Sequence, residues 1–389
     1  MKKFEELGLD EGLMRVIREM GFENPSEIQE KAIPLVLKSE DVIGKSATGS
    51  GKTLAFGVGI IKKAVRGQGV QALVLVPTRE LAEQVSGALK EFSKNHGLRI
   101  QKVYGGVAIS GQIEGIRRAE VVVGTPGRIL DHLERGTLEL KKMKILVLDE
   151  ADRMVDMGFL PDVERIISAC PKERQTLLFS ATITQDVEHI EKKYMRNPKY
   201  VSVQSYVDAS KLKQCYYDVP SYLKFSLLLS FIKNEKSNLV MVFCNTRQNV
   251  EMVARNLKRF GVNVMAIHGG LTQDRRNRVM EKFHGEDTHV LVCTDVAARG
   301  LHIDNVSHIY NYDIPKSSND YIHRIGRTAR AGKEGEAISL VSSRDYENFA
   351  KVKEDESLNI ERKEIPKIEI VKRTNSECDF SYRSSIFKK

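Results

Sequence analysis

The sequence predicts an α/β protein of two similar domains, each a mostly parallel sheet flanked by helices. Three observations carry that prediction. Continuous apolar runs, Ala72-Leu73-Val74-Leu75-Val76, Val121-Val122-Val123, Ile145-Leu146-Val147-Leu148 and Thr176-Leu177-Leu178-Phe179, alternate with segments of helical periodicity. Such strands bury both faces, which places them in parallel sheets covered on each side. The rhythm lapses in a polar stretch, 201–213, with Ser202, Gln204, Ser205, Asp208 and Ser210, and then restarts with runs at 239–243, 262–267, 290–292 and 337–341. A length of 389 residues suits two domains of ordinary size. The expected boundaries are 1–207 and 208–360, followed by a short polar and basic tail, 361–389, read as mobile.

In chain order, Leu7, Leu9, Leu13, Val16 and Ile17 are spaced for an amphipathic lead-in helix, broken by Gly21-Phe22-Glu23-Asn24-Pro25. A short strand, Asp41-Val42-Ile43-Gly44, then leads into Ser46-Ala47-Thr48-Gly49-Ser50-Gly51-Lys52-Thr53. Gly49 and Gly51 let the backbone curl so that successive N–H groups point into one hollow, a shape that suits phosphate oxygens. Lys52 is placed to reach β- and γ-phosphates, the Thr53 hydroxyl to hold Mg²⁺, and the following helix to add its positive dipole end. The run Ile145-Leu146-Val147-Leu148 ends in Asp149-Glu150, about a hundred residues further on. A buried strand ending in two carboxylates places Asp149 for Mg²⁺ and Glu150 to orient or deprotonate an attacking water. Loop and carboxylates together predict nucleoside triphosphate hydrolysis. In the second half, Val250, Val253, Leu257 and Phe260 form a helical stripe closed by Gly261.

Composition narrows the setting. Lys plus Arg number 61 against 52 Asp plus Glu, a net +9 that permits a polyanionic partner. No apolar run reaches the ~18 residues of a spanning helix, and the N-terminus turns acidic where a signal peptide would become apolar, so a soluble, cytoplasmic chain is expected. Cys170, Cys215, Cys244, Cys293 and Cys378 are widely spaced with no C-x-x-C pair, which reads as a reduced chain whose cysteines hold no metal, a metal-free chain on that count. Cys244 and Cys293 fall in or beside apolar runs, as small buried hydrophobes do.

The residues Asp149-Glu150-Ala151-Asp152, the phosphate loop and the blocks that follow resemble the DEAD-box ATP-dependent RNA helicases, from Phe4 to about Val341. That resemblance implies two tandem RecA-like domains, ATP and Mg²⁺ as cofactors, single-stranded RNA and short duplexes as partners, and a monomer. Phe22 and Gln29 resemble the adenine-reading motif, with the ring stacking and the amide pairing with adenine. Ser180-Ala181-Thr182 resembles the motif coupling hydrolysis to unwinding, in which Asp152 and His323 also take part. Blocks resembling RNA contacts are Pro77-Thr78-Arg79, Gly105-Gly106 and Thr125-Pro126-Gly127-Arg128, then Asn245-Thr246-Arg247, His268-Gly269-Gly270, Gln273 with Arg276, and Thr294. They supply N–H groups, hydroxyls and arginines, the vocabulary of sugar–phosphate contact, with 2′-hydroxyls distinguishing RNA from DNA. Asp295, Arg327 and Arg330 resemble the second domain's ATP-facing residues, the two arginines as fingers toward the γ-phosphate.

Three positions depart from the family pattern: Ser46 replaces a small Ala or Gly, Ala329 stands where Gly is usual, and His302 where an Asp usually contacts the ribose. The resemblance implies a helicase that opens short duplexes locally. Two alternatives are a translocating DNA helicase, against which Asp152 and Gln29 speak, and an ATP-gated RNA clamp or ribonucleoprotein remodeller with little strand separation.

Overall fold

A computed structural model describes residues 3–46, 49–203, 212–234, 239–285, 288–298, 306–329, 334–356 and 358–371. Ala47, Thr48, His302, Arg330, Cys378 and the side chain of Gln273 lie outside the described residues. The chain divides into two compact units, Met1–Ser205 and Tyr206–Lys389. Among the described residues the first unit has strands β1 (Val42–Lys45), β2 (Ala72–Leu75), β3 (Ile100–Val103), β4 (Val121–Gly124), β5 (Ile145–Leu148), β6 (Gln175–Ser180) and β7 (Lys199–Ser202). The second has β8 (Leu212–Asp218), β9 (Leu239–Phe243), β10 (Val264–Ile267), β11 (Val290–Cys293), β12 (Val306–Asn311), β13 (Gly335–Val341) and β14 (Glu361–Lys363).

Every pairing in both sheets is parallel, as the apolar runs predict. The orders are β3-β4-β2-β5-β6-β1-β7 and β10-β11-β9-β12-β13-β8-β14. Counted from the first strand of each unit, the two orders are the same.

The core lies on both faces of each sheet. Ala72, Val74, Ile145 and Val147 join the cluster on one face, while Leu73, Leu75, Leu146 and Leu148 join the other. In the second unit Leu239, Met241 and Phe243 point opposite to Val240 and Val242. A central strand with four buried aliphatic side chains contributes on the order of 6–12 kcal/mol of transfer free energy, at roughly 1.5–3 kcal/mol each. Edge strand β7 buries only Val201. The centre therefore specifies each sheet, and the polar edges resist pairing with other chains.

The lead-in is a helix, Glu11–Glu19, capped by Asp10, which accepts from the Leu13 N–H at 3.0 Å, and it stops before Gly21 at φ 71°. The start of the segment expected as a mobile tail is instead built into the second unit. Glu361–Lys363 pairs with β8, and Ile365, Ile368 and Val371 pack on the core, with the Val371 N–H donating to Ser226 Oγ at 3.1 Å. Three apolar side chains at three-residue spacing anchor a stretch rich in charged residues. Among the described residues no helix is long and apolar enough to cross a membrane.

Because all strands are parallel, their carboxyl ends share one edge of each sheet, where open α/β folds place their sites.

Candidate functional site

Neighbouring strands β5, β6 and β1 bring the phosphate loop, the paired carboxylates and Ser180-Ala181-Thr182 together at one edge. The loop is stitched to β6 by the Ser46 N–H donating to Ser180 O at 2.9 Å, and closed on itself by Ser50 Oγ donating to Ser46 Oγ at 3.0 Å. Gly49 and Gly51 have φ of 83° and 90°, and a Cβ on Gly51 would overlap the Gln29 amide. Lys52 opens the helix Lys52–Lys63 and is buried; its Nζ donates to Ser46 O at 3.3 Å and stands 3.9 Å from Asp149 Oδ1. Burial pushes the Asp149 carboxyl up to about 6, with Lys52 opposing and Glu150 adding to the rise. Thr53 is half-buried in the first turn of the same helix. A carboxylate and a hydroxyl are the hard oxygen donors that Mg²⁺ takes, so the residues present fit that ion.

Gln29 does more than the adenine reading predicts. It lies in the helix Glu27–Leu37; its Oε1 accepts from the Ser26 N–H at 2.9 Å and its Nε2 donates to Gly51 O at 3.0 Å. Ser26 Oγ donates to Ser50 O at 2.7 Å. The helix N-terminus thus grips the phosphate loop. The amide retains one hydrogen and one lone pair for a base edge. Phe22 is 42% exposed, with its ring open to stacking.

Glu150 sits between β5 and the helix Ala151–Asp156 with φ 52°, a left-handed conformation that costs a non-glycine residue roughly 1–2 kcal/mol. The turn aims its carboxylate at Arg153, whose Nη1 donates to Oε2 at 2.7 Å, with both side chains buried. Asp152 ties this strand end to the next. Its Oδ2 accepts from the Thr182 N–H at 2.8 Å and Thr182 Oγ1 at 2.9 Å, while its N–H donates to Ser180 Oγ at 3.1 Å. Ser180 Oγ donates in turn to Thr182 O at 2.7 Å. Two motifs 30 residues apart are one hydrogen-bonded piece.

The expected RNA blocks of the first unit occupy the other half of the same edge, at the ends of β3, β4 and β2. Thr78 caps the helix Arg79–Phe92, accepting from the Leu81 N–H at 3.2 Å. The Arg79 guanidinium lies against Gly105 and Gly106, where a Cβ on Gly106, at φ 80°, would overlap it. Thr125 precedes the helix Pro126–Glu134, with Pro126 in its first turn. Arg128 Nη1 donates to Val107 O at 3.3 Å, and its Nε lies 3.6 Å from Asp131 Oδ2.

The second unit repeats the arrangement at the ends of β10, β11 and β9. Thr246 caps the helix Arg247–Arg259, and the Arg247 guanidinium approaches Gly269. His268 Nδ1 accepts from the Gly270 N–H at 3.1 Å, which puts the ring proton on Nε2, 2.6 Å from Glu251 Oε1. Thr294 is buried after β11, and Arg276 Nη2 donates to Ala297 O at 3.4 Å.

Asp295, expected to face ATP, has both carboxylate oxygens on Arg324, at 2.6 and 2.7 Å. Arg324 is 1% exposed, and its remaining N–H groups reach Asn311 Oδ1, Asp313 O and Asn245 Oδ1 at 3.2, 2.6 and 2.9 Å. All five guanidinium donors are used, so Arg324 binds the ends of β9, β11 and β12 together. Removing one partner of such a buried pair costs about 3–5 kcal/mol. Sequence reasoning missed Arg153 and Arg324. Three-residue spacing from Glu150 was the only signal for the first; the second lies inside the block 323–330 that resembles an ATP-facing motif, but only His323, Arg327 and Arg330 of that block were given roles.

Arg327 follows the helix Ser318–Ile325 and is buried, its N–H donating to Arg324 O at 3.1 Å; His323 is half-buried in the last turn. Ala329 takes φ 53°, the conformation a glycine there would reach without strain. The tight turn is kept with alanine, at a cost of about 1–2 kcal/mol.

Residues 26–190 match the family model for the DEAD/DEAH box helicase, and 223–332 that for the helicase conserved C-terminal domain. The chain is 43% identical over 372 residues to the DEAD-box ATP-dependent RNA helicase CshA of Geobacillus kaustophilus, covering 95% of this chain and 80% of that protein. It is 46% identical over 348 residues to the ATP-dependent RNA helicase CshA of Listeria monocytogenes, covering 89% and 67%. Among solved structures it resembles S. cerevisiae Dbp5 bound to RNA and ADP BeF3, with TM-score 0.83, 34% identity, and coverage of 94% and 96%.

Proposed function

The chain belongs to the DEAD-box ATP-dependent RNA helicases, and from that premise we propose that it holds single-stranded RNA with both units and opens short duplexes locally, in step with RNA-stimulated ATP hydrolysis. It is an RNA-dependent ATPase; the clamp and the residue roles are our reading. The observation that carries it is the division of one sheet edge: nucleotide motifs at the ends of β5, β6 and β1, and basic, glycine-rich blocks at the ends of β3, β4 and β2. In this reading one sheet serves both ligands.

In this reading Lys52 and the loop N–H groups hold the phosphates, and Thr53 with Asp149 would hold Mg²⁺, which supplies charge neutralisation across the β- and γ-oxygens. Glu150 orients and deprotonates the attacking water, held by its left-handed turn and by Arg153. Asp152, Ser180 and Thr182, with His323 in the second unit, transmit the nucleotide state. Arg79 and Arg128 in one unit, and Arg247, Arg276 and Thr294 in the other, contact the RNA backbone. The protein acts as a monomer, in the cytoplasm.

Glu150→Gln tests the cycle. The amide keeps the shape and a bond to Arg153 but loses the base, so turnover falls by roughly 10²-fold or more while ATP still binds. RNA is then held longer in the presence of ATP, and duplex opening slows with turnover. Unchanged phosphate release would assign the base elsewhere. A normal ATPase with no strand separation in the wild-type protein would favour the clamp without unwinding.

Nucleotide choice is read at Gln29. Gln29→Ala removes the grip on Gly51 and the base-edge contact together, so KM for ATP rises by about tenfold and the preference for ATP over GTP collapses. The loop effect acts on both nucleotides alike, and the edge effect only on their ratio. A wild-type protein using GTP as well as ATP would overturn the adenine reading.

A further inference from the structure

Helix Pro126–Glu134 carries His132, which is fully buried, and the facing helix Ile109–Arg118 carries Gln112, 5% exposed. Neither belongs to the blocks assigned above. Gln112 Nε2 donates at 3.0 Å to the carbonyl of Tyr104, the residue immediately before Gly105-Gly106. A carbonyl only accepts, so the amide orientation follows, and Oε1 is turned toward His132 Nε2 at 3.4 Å. His132 must then carry its proton on Nε2. With the ring proton on Nε2, Nδ1 accepts at 2.8 Å from the Thr137 hydroxyl, whose one hydrogen is shared with His132 O at 3.1 Å. The result is a one-way chain of donors, Thr137 to His132 to Gln112 to Tyr104 O. Burial, and then Arg128, lower the His132 pKa, which keeps the ring neutral; Asp131 opposes and Arg135 adds to the shift.

We propose that Gln112 and His132 are positioning residues that lock the Gly105-Gly106 turn onto the helix opening with Thr125-Pro126-Gly127-Arg128, so that the two RNA-contacting blocks move as one preorganised surface. This rests on the reading of those blocks as RNA contacts. The geometry pins the glycine pair on both flanks. Tyr104 O before it is held through Gln112, and Val107 O after it is held by Arg128 at 3.3 Å. Gly106, at φ 80°, stands over the Arg79 guanidinium between them. Glycines give a backbone close access to a polyanion but leave it loose, and a loose turn must be ordered when the RNA binds. A buried relay from the neighbouring helix removes that cost before the encounter.

The test uses Gln112→Met, which fills the volume without a donor, and Gln112→Glu, which keeps the shape but sets a carboxylate against Tyr104 O. Arg79→Ala serves as the control for the RNA assignment. The readouts are the oligouridylate concentration that half-stimulates ATP turnover and the dissociation constant for the same RNA with a non-hydrolysable ATP analogue. Both Gln112 variants are expected to raise both quantities by about tenfold, while RNA-independent turnover and KM for ATP stay within about twofold. Half-saturation unchanged in both variants, with Arg79→Ala weakening RNA, overturns the positioning role. A lowered melting temperature with unchanged RNA affinity does the same, because it marks a merely structural pair. If Arg79→Ala also leaves RNA affinity unchanged, the assignment of this edge to RNA fails first.

Discussion

Lys52→Ala is expected to lower ATP turnover by about 10³-fold or more, with the fold of the first unit retained. In the proposed reading Lys52 is the cation beside the phosphates; its Nζ is pinned between Ser46 O and Asp149 Oδ1. A preorganised charge at a developing anion, in a site sheltered from water, is worth far more than the same charge in solvent, and removing one such donor costs on the order of 10²–10³ in rate. The substitution also takes away the main influence opposing the rise of the Asp149 pKa, so the carboxyl that would hold Mg²⁺ becomes harder to ionise. Both effects act in the same direction. The strands on either side are specified by aliphatic side chains on two faces, so a circular-dichroism melt should stay close to wild type. Phosphate release within about threefold of wild type would assign this loop to another task.

Arg327→Ala should lower RNA-stimulated turnover by about 10³-fold or more, the range in which an arginine finger acts. The transferring phosphoryl group spreads charge over its equatorial oxygens, and a planar guanidinium answers it with two donors at once. Nucleotide-free RNA affinity should be unchanged, since the blocks proposed to contact RNA in the second unit lie at the ends of β9, β10 and β11. Because Arg327 is buried and joined through its backbone to Arg324, loss of activity alone would be ambiguous. Arg327→Lys resolves it: the charge and fold are kept, the fork is lost, and the rate should stay low. Full activity in Arg327→Lys together with Arg327→Ala would remove the residue from the reaction.

The central strands were legible because their signal is local. A strand buried on both faces is a run of Val, Ile and Leu, and its partner does not alter that composition. β3, β7, β8, β12 and β14 carried no such run. Edge strands pair on one side only, as in Lys199–Ser202 and Glu361–Lys363, and the interior strand β8 buries only three of its seven residues. The glycine-rich loop and Asp149-Glu150 stood out likewise, since the phosphate and metal binding proposed for them sets residue types at short spacing.

By itself, then, the sequence determined the α/β class, the duplication, and the loop and paired carboxylates proposed to bind nucleotide, because each depends on neighbours in the chain. Only the tertiary structure decided which strand ends meet. The order β3-β4-β2-β5-β6-β1 separates basic blocks from nucleotide motifs along one edge, and no periodicity encodes an order. It also decided the partners of buried polar groups distant in sequence: Gln29 on Gly51 O, and the five donors of Arg324 on groups 11 to 79 residues away. A buried charge must find its counterpart wherever the fold brings one, and that distance in space has no image along the chain.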